Sequence, residues 1–138
     1  MTCVIDASVA VSWLFADEQT PLCMNLLAQV SRTGAVVPSL WRLEIANALQ
    51  NGIKRKRIDV AYRDATIQSL RILPIEIDPD TDDYAWTATL QLADKHQITI
   101  YDASYLELTL RRRVPLATRD EDLAAAAAHA GAILLPTR

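Results

Sequence analysis

The stretch VIDASVAV (residues 4–11) decides the fold, because a short apolar run ends in Asp6 and a helix-like pattern follows at once. Nearly the same arrangement returns as TIYDASYLEL (residues 99–108), where Asp102 follows an apolar run. Short runs without polar residues fit strands that are buried on both faces, as in parallel sheets. Each aspartate therefore stands where a strand passes into a helix, and it either caps that helix or points into a shared site.

Short apolar runs alternate with longer helical patterns along the whole chain. We predict strands at Val4–Ile5, Ala35–Val37, Ile75–Ile77, 98–100 and Leu116–Ala117, with one further candidate strand at 133–135. We predict helices at 7–15, 22–32, from 40 to about 51, 60–72, 81–96, 103–112 and 123–129. This alternation is typical of an α/β sandwich around a mostly parallel sheet.

Residues with known preferences mark the predicted helix ends. Ser39 and Asp59 stand where N-caps are expected, since their side chains can accept hydrogen bonds from the first free amides of a helix. Gly34 and Gly52 are expected to end helices, and Pro74 to stop the helix before it.

The composition predicts a single domain, residues 1–138, with a hydrophobic core. Of its 138 residues, 51% are hydrophobic, yet no apolar run is long enough to cross a membrane and no signal peptide is readable. Cys3 and Cys23 lack the spacing of a metal finger or disulfide framework, so we expect buried thiols and a cytoplasmic protein. The net charge of −3 argues weakly against a protein that coats nucleic acid nonspecifically.

The acidic residues after the strands are the candidate site. Ligands of open α/β sheets bind at the carboxyl ends of the strands, where Asp6 and Asp102 stand. The same edge carries Thr118, Asp120 and Asp122, while Glu44 lies within or beside the apolar stripe of a helix. At about 4 Å, two like charges repel by about 1 kcal/mol in water and about 4 kcal/mol at an effective dielectric of about 20. A hard divalent cation such as Mg²⁺ would neutralise such a cluster.

Other chemistries fit the sequence less well. With three glycines and no GxGxxG or P-loop pattern, a nucleotide cradle is unsupported. His96 and His129 fall at predicted helix ends, and no GxSxG frame surrounds Ser8. Two alternatives stay open: a module that binds RNA or a partner without cleaving, and a receiver-type signalling domain. The receiver alternative expects a lysine after the fifth strand, where Arg119 follows Thr118.

Four motifs, in order along most of the chain, resemble those of PIN-domain ribonucleases, specifically VapC-like toxins. They are VIDASV, LEIANAL, IYDASYLELTLRR and LATRDEDL. The first three place the family's acids at Asp6, Glu44 and Asp102, with Asn47 one turn after Glu44. The last resembles the closing T-x-D motif and gives Thr118 and Asp120, and Asp122 either serves with Asp120 or replaces it.

The resemblance implies a three-layer α/β sandwich around a five-stranded parallel sheet of order 3-2-1-4-5. Strands one and four would then be neighbours, and Asp6 would face Asp102 across the switch point. It further implies an endoribonuclease that depends on Mg²⁺ or Mn²⁺, the toxin of a toxin–antitoxin pair. Its partners would be RNA, a cognate antitoxin and a second copy in a homodimer, with no membrane.

The mechanism expected from these residues is hydrolysis by an activated water. Asp6, Asp102 and Asp120 would hold one or two cations, directly or through water, and Glu44 would orient or deprotonate the attacking water or complete the metal shell.

Supporting roles are predicted for other polar residues. Ser8 and Thr118 either hydrogen-bond the acids or a phosphate, or are local caps. Basic residues at Arg111, Arg112 and Arg113, and at 54–57, either contact RNA phosphates or are solvated helix ends.

Overall fold

Four short parallel strands form the sheet at the centre of the protein, in a computed structural model that describes residues 2–137. They are β1 (Val4–Ile5), β2 (Ala35–Val37), β3 (Ile75–Ile77) and β4 (Leu116–Ala117), in the spatial order β3-β2-β1-β4. The strand β1 is central, since Val4 lies opposite Val36 on one side and Leu116 on the other. Val4 and Ile5 are fully buried, as expected for a strand that is covered on both faces.

Eight helices accompany the sheet within residues 2–137. They are α1 (Ala7–Leu14), α2 (Pro21–Thr33), α3 (Trp41–Lys54), α4 (Val60–Ile72), α5 (Thr81–Tyr84), α6 (Ala88–His96), α7 (Ile100–Arg112) and α8 (Glu121–His129). Helix α1 packs against α2 and α3, whereas α7 packs against α6, α8 and β1. The predicted α/β sandwich, a parallel sheet flanked by helices, is therefore confirmed. None of these helices is long and apolar enough to cross a bilayer.

The predicted strand at 98–100 is wrong, so the sheet has four strands instead of five. Thr99 is the N-cap of α7, because its Oγ1 accepts a hydrogen bond from the Asp102 amide at 3.1 Å. The neighbour of β1 on this side is consequently β4. Asp102 thus reaches the sheet edge from the first turn of a helix, and it does not face Asp6 from an adjoining strand.

The segment at 133–135 supplies a rudimentary fifth position beyond β4. Leu134 forms a single parallel bridge with Leu116. The Leu116 amide donates to the Ile133 carbonyl, and the Leu135 amide donates to the Leu116 carbonyl, both at 2.9 Å. One bridge does not make a strand, but it covers the edge of β4 and satisfies its backbone groups.

The predicted helix ends were partly right. Asp59 caps α4 by accepting from the Tyr62 amide at 2.8 Å, and Gly34 ends α2 with a φ of +80°. Ser39 is not a cap, because α3 begins at Trp41 after Leu40. Gly52 lies inside α3, where an added Cβ would stand 3.0 Å from the Phe15 ring, so close packing requires this glycine.

Two further sequence predictions were tested by the structure. The single helix expected at 81–96 is interrupted by a turn between α5 and α6. Cys3 and Cys23 are buried free thiols, as predicted, and both belong to the hydrophobic core that surrounds β1.

A charged cluster joins the end of β3 to α7. The side chain of Asp78 is fully buried and pairs with Arg111 at 2.6 Å and with Arg112 at 3.2 Å. Arg111 also pairs with Glu107, one turn earlier in α7, at 2.8 Å. Burial acts to raise the pKa of Asp78, but the hydrogen bonds from Arg111, Thr81 and Arg112 outweigh it and lower this pKa from 3.8 to about 2.

We predict that Asp78→Asn lowers the free energy of unfolding by about 3 kcal/mol, because it removes one partner of a buried ion pair. Asp80→Asn is the control, since Asp80 is 53% exposed and stands 3.9 Å from Arg111; it should cost less than about 1 kcal/mol. Urea denaturation at pH 7 measures both. The difference between wild type and Asp78→Asn should persist above pH 3.8 and disappear as the pH falls towards 2, because Asp78 then becomes protonated. Equal losses in the two variants at pH 7 would contradict a structural role for this cluster.

Candidate active site

Asp6 both caps a helix and faces the carboxyl end of the sheet. It follows β1 directly and is only 4% exposed. Its Oδ1 accepts hydrogen bonds from Ser8 Oγ at 2.6 Å and from the Val9 amide at 3.1 Å, and its Oδ2 accepts from Thr118 Oγ1. Burial raises the pKa of Asp6, these hydrogen bonds oppose that rise, and the nearby charge of Asp120 adds to it. The carboxylate is therefore held in one orientation.

The segment after β4 completes this network. Thr118 Oγ1 donates to Asp6 and accepts from the Asp120 amide at 3.0 Å. Ser8 Oγ accepts from the Arg119 amide at 2.9 Å. Asp120 caps α8, since its Oδ1 accepts from the Leu123 amide at 2.8 Å. Hydrogen bonds thus fasten the ends of two adjacent strands to each other.

Glu44 lies on α3 and reaches the same edge from another side. Its side chain is half-buried, and its Oε1 accepts a hydrogen bond from the Tyr105 hydroxyl at 2.5 Å. Burial raises the pKa of Glu44, the hydrogen bond from Tyr105 lowers it, and repulsion from Asp6 raises it further. Glu44 and Asp6 are accordingly near enough to interact.

Asp102 feels the charge of every other acid in the group. Burial, followed by repulsion from Asp120, Asp6, Glu44 and Asp122, raises the pKa of Asp102 from 3.8 to about 6. No residue among 2–137 donates a hydrogen bond to its carboxylate. The other three predicted acids, Asp6, Glu44 and Asp120, thus lie near enough for their charges to act on Asp102, whose carboxylate has no compensating donor among residues 2–137.

The other predicted site residues take different positions. Asp122 is exposed in the first turn of α8 and affects the pKa of Asp102 less than Asp120 does. Asn47 is exposed on α3 and lines a cleft of about 630 Å³ with Glu44 and Ser8. Asp120 affects the pKa of Asp102 more than Asp122 does, and it belongs to the hydrogen-bond network. We therefore favour Asp120 over Asp122 as the fourth acid.

The basic residues are largely engaged within the protein. Arg111 and Arg112 are held by Asp78, and Arg112 also pairs with Glu76 at 2.5 Å. Arg113 is exposed at the end of α7. In the second basic stretch, Arg57 pairs with Asp17 and Glu18. RNA contact by these residues stays a prediction, and the ion pairs of Arg111 and Arg112 count against it.

The acids fit a divalent cation only if water supplies part of its shell. Within residues 2–137, no three His, Cys, Asp or Glu side chains are grouped closely enough to ligate one ion. Mg²⁺ is ordinarily held by one or two carboxylates, with water and substrate phosphate in the remaining positions. Oxygen donors in a negatively charged, half-open site match that requirement.

Tyr105 is the contact at this site that the sequence analysis missed. Its side chain is 1% exposed and lies in the core face of α7, so it looks like an ordinary core residue. One signal was available: Tyr105 stands three residues after Asp102, and residues at that spacing share a helix face. The distance to Glu44, on another helix, is set only by the fold.

Comparison with known proteins gives consistent results. Residues 3–130 match the sequence model of the family described as PIN domain. The chain is 32% identical over 130 residues to Ribonuclease VapC1 of Mycobacterium tuberculosis, covering 90% of each protein. Its fold is similar to that of PAE2754 from Pyrobaculum aerophilum, with a TM-score of 0.66 at 21% identity over 98% of this chain and 90% of that one.

A second solved structure shares the fold. This is VapBC2 from Rickettsia felis bound to a DNA fragment from its promoter, with a TM-score of 0.62 at 14% identity over 97% of each chain. The family match spans nearly the whole sequence and includes all four converging acids. This chain belongs to the PIN domain family.

Proposed function

We propose that this protein is a metal-dependent endoribonuclease and the toxin of a toxin–antitoxin pair. The observation that carries the proposal is that Asp6, Glu44 and Asp120 lie near enough to act on Asp102, where burial and then their repulsion raise the pKa to about 6. A carboxyl group whose pKa is shifted this far by burial and by charged neighbours is typical of a functional site. The similarity to Ribonuclease VapC1 over 90% of the chain supports RNA as the substrate.

In this proposal Asp6, Asp102 and Asp120 hold Mg²⁺ or Mn²⁺, directly or through water. The bound cation supplies Lewis-acid stabilisation of the phosphate and lowers the pKa of water. Asp102 presents its carboxylate without a hydrogen-bond donor among residues 2–137, whereas Ser8 and Thr118 hold Asp6 in place. Asp120 keeps one oxygen on the Leu123 amide and has the other for a ligand.

Glu44 is proposed to orient the attacking water and accept its proton. Its Oε1 accepts a hydrogen bond from the Tyr105 hydroxyl, so Oε2 is the oxygen proposed to contact the water. Burial and the charge of Asp6 raise the pKa of Glu44, and this makes it a better proton acceptor than an exposed glutamate. In-line attack by water needs no 2′-hydroxyl, so the preference for RNA comes from contacts outside these four acids.

We further propose a cognate antitoxin as partner. The similar fold of VapBC2 from Rickettsia felis, described as bound to a DNA fragment from its promoter, supports such a pair. The homodimer and the cytoplasmic location stay predictions from the resemblance and the composition.

Cleavage of RNA tests the proposed activity. Wild type should cleave RNA in Mg²⁺ or Mn²⁺ and lose this activity in EDTA. Asp6→Asn should lower the rate at least about 100-fold, because it removes a charge from the proposed cation site. Asp64→Asn is the matched control, since Asp64 is exposed on α4 and pairs with Arg63 away from the site; its rate should equal that of wild type.

Cleavage that survives both EDTA and Asp6→Asn would refute the proposed mechanism. Gel analysis of a defined RNA with wild type, Asp6→Asn and Asp64→Asn, each prepared identically, separates the protein's own activity from a contaminating ribonuclease.

The pKa of Asp102, raised by burial and then by repulsion, has a consequence for stability. Since the pKa of Asp102 is about 6 in the folded protein and 3.8 as the reference value, the folded state holds the extra proton between these pH values. Stability of the metal-free protein therefore falls as the pH rises from about 4 to about 6. We predict that Asp102→Asn has a higher Tm than wild type at pH 7.5 without metal.

Two controls accompany this measurement. The gap in Tm should shrink at pH 4, where Asp102 of the wild type is protonated, and Mn²⁺ should raise the Tm of wild type more than that of Asp102→Asn. An Asp102→Asn protein that melts at or below the wild-type temperature at pH 7.5 would show that burial and repulsion do not destabilise the Asp102 carboxylate as described.

A further inference from the structure

We propose that Tyr105 is a positioning residue that fixes the carboxylate of Glu44 for attack by water. The inference rests on the proposed ribonuclease activity and deepens it, because it adds a fifth side chain to the four acids. Tyr105 would not touch the substrate. It would act through Glu44 by deciding which way that carboxylate points.

The placement of Tyr105 suits this role. It lies on α7 three residues after Asp102, so the same helix positions one acid directly and a second one through a hydroxyl. Its side chain is 1% exposed and packed in the core that surrounds β1. A tyrosine has only two flexible side-chain torsions, and a buried ring therefore holds its hydroxyl at a fixed point.

Glu44 depends on this one contact for its orientation. The Tyr105 hydroxyl donates to Oε1 at 2.5 Å, and no other residue among 2–137 donates to the Glu44 carboxylate. The side chain of Glu44 is half-buried, and the neighbours Leu43 and Asn47 are exposed. Without the hydroxyl, Glu44 would sample several rotamers, and an attacking water would be oriented in only a fraction of molecules.

The chemical nature of the donor also fits. At Asp78 the protein fastens a buried carboxylate with arginine, which neutralises its charge. At Glu44 it uses a neutral hydroxyl, which fixes the carboxylate and leaves its negative charge in place. A neutral donor therefore suits a site that attracts a cation, since an arginine at this position would repel the ion.

Tyr105→Phe tests the proposal, with Tyr62→Phe as the matched control. Both substitutions remove one hydroxyl, and both hydroxyls donate at 2.5 Å: Tyr105 to Glu44, and Tyr62 to the Leu14 carbonyl outside the acid cluster. We expect Tyr105→Phe to lower kcat for RNA cleavage about 10-fold or more, with KM changed less than about twofold. Tyr62→Phe should change neither constant more than about twofold. An unchanged kcat in folded Tyr105→Phe would overturn the inference.

An NMR measurement on wild type and Glu44→Ala tests the contact without RNA cleavage, and it does not require Tyr105→Phe to fold. In metal-free wild type, the Tyr105 hydroxyl proton should give a slowly exchanging, downfield NMR signal that disappears or moves upfield in Glu44→Ala. The same signal in both proteins would mean that the hydroxyl does not hold Glu44, and the inference would fail. If wild type cleaves no RNA while the signal depends on Glu44, the proposed function fails and the contact stands.

Discussion

Electrostatic repulsion among carboxylates at the carboxyl end of the sheet is the constraint around which the rest of the structure is arranged. Asp6 directly follows β1, and Asp102 lies in the first turn of α7. Burial, followed by repulsion from Asp120, Asp6 and Glu44, raises the pKa of Asp102 to about 6. Folding tolerates this cost because hydrogen bonds from Ser8 and Thr118 hold Asp6, and because the buried strands fix where each chain segment ends. A bound cation would neutralise the repulsion among these carboxylates, so the same charges that destabilise the metal-free protein would bind the metal of the proposed reaction.

The protein contains two groups of charged side chains with opposite designs. The cluster at Asp78 is balanced by Arg111 and Arg112, so it links β3 to α7 and needs nothing from outside. The pKa of Asp102, in contrast, is shifted by burial and by other carboxylates, with no arginine or lysine among the causes. The cluster at Asp78 is therefore a structural ion-pair network, whereas the acids around Asp102 have the character of a ligand-binding site. Arg111 and Arg112 look like part of a basic surface in the sequence, but in the fold they form ion pairs with Asp78.

Much of the fold and the candidate site was predictable from local patterns, because buried strands and the acids after them leave a clear signature in sequence order. The failures have physical reasons. Residues 98–100 look like a strand, but Thr99 caps a helix, and capping depends on a hydroxyl contact that apolar periodicity does not register. Gly52 looks like a helix end, but the approach of Phe15 requires it. Tyr105 looks like core, and its role at Glu44 appears only when α3 and α7 are placed side by side.

The central claim is that these acids share one divalent cation site, and anomalous scattering from crystals grown with Mn²⁺ tests it most directly. The account predicts an anomalous peak at the carboxyl end of the sheet, within coordination distance of at least one of Asp6, Asp102 and Asp120, with the remaining positions filled by water. Data from crystals of Asp102→Asn under the same conditions should have a weaker peak or none. No peak at this site in wild-type crystals at saturating Mn²⁺, or a peak only elsewhere on the protein, would contradict the claim that these acids share a cation site.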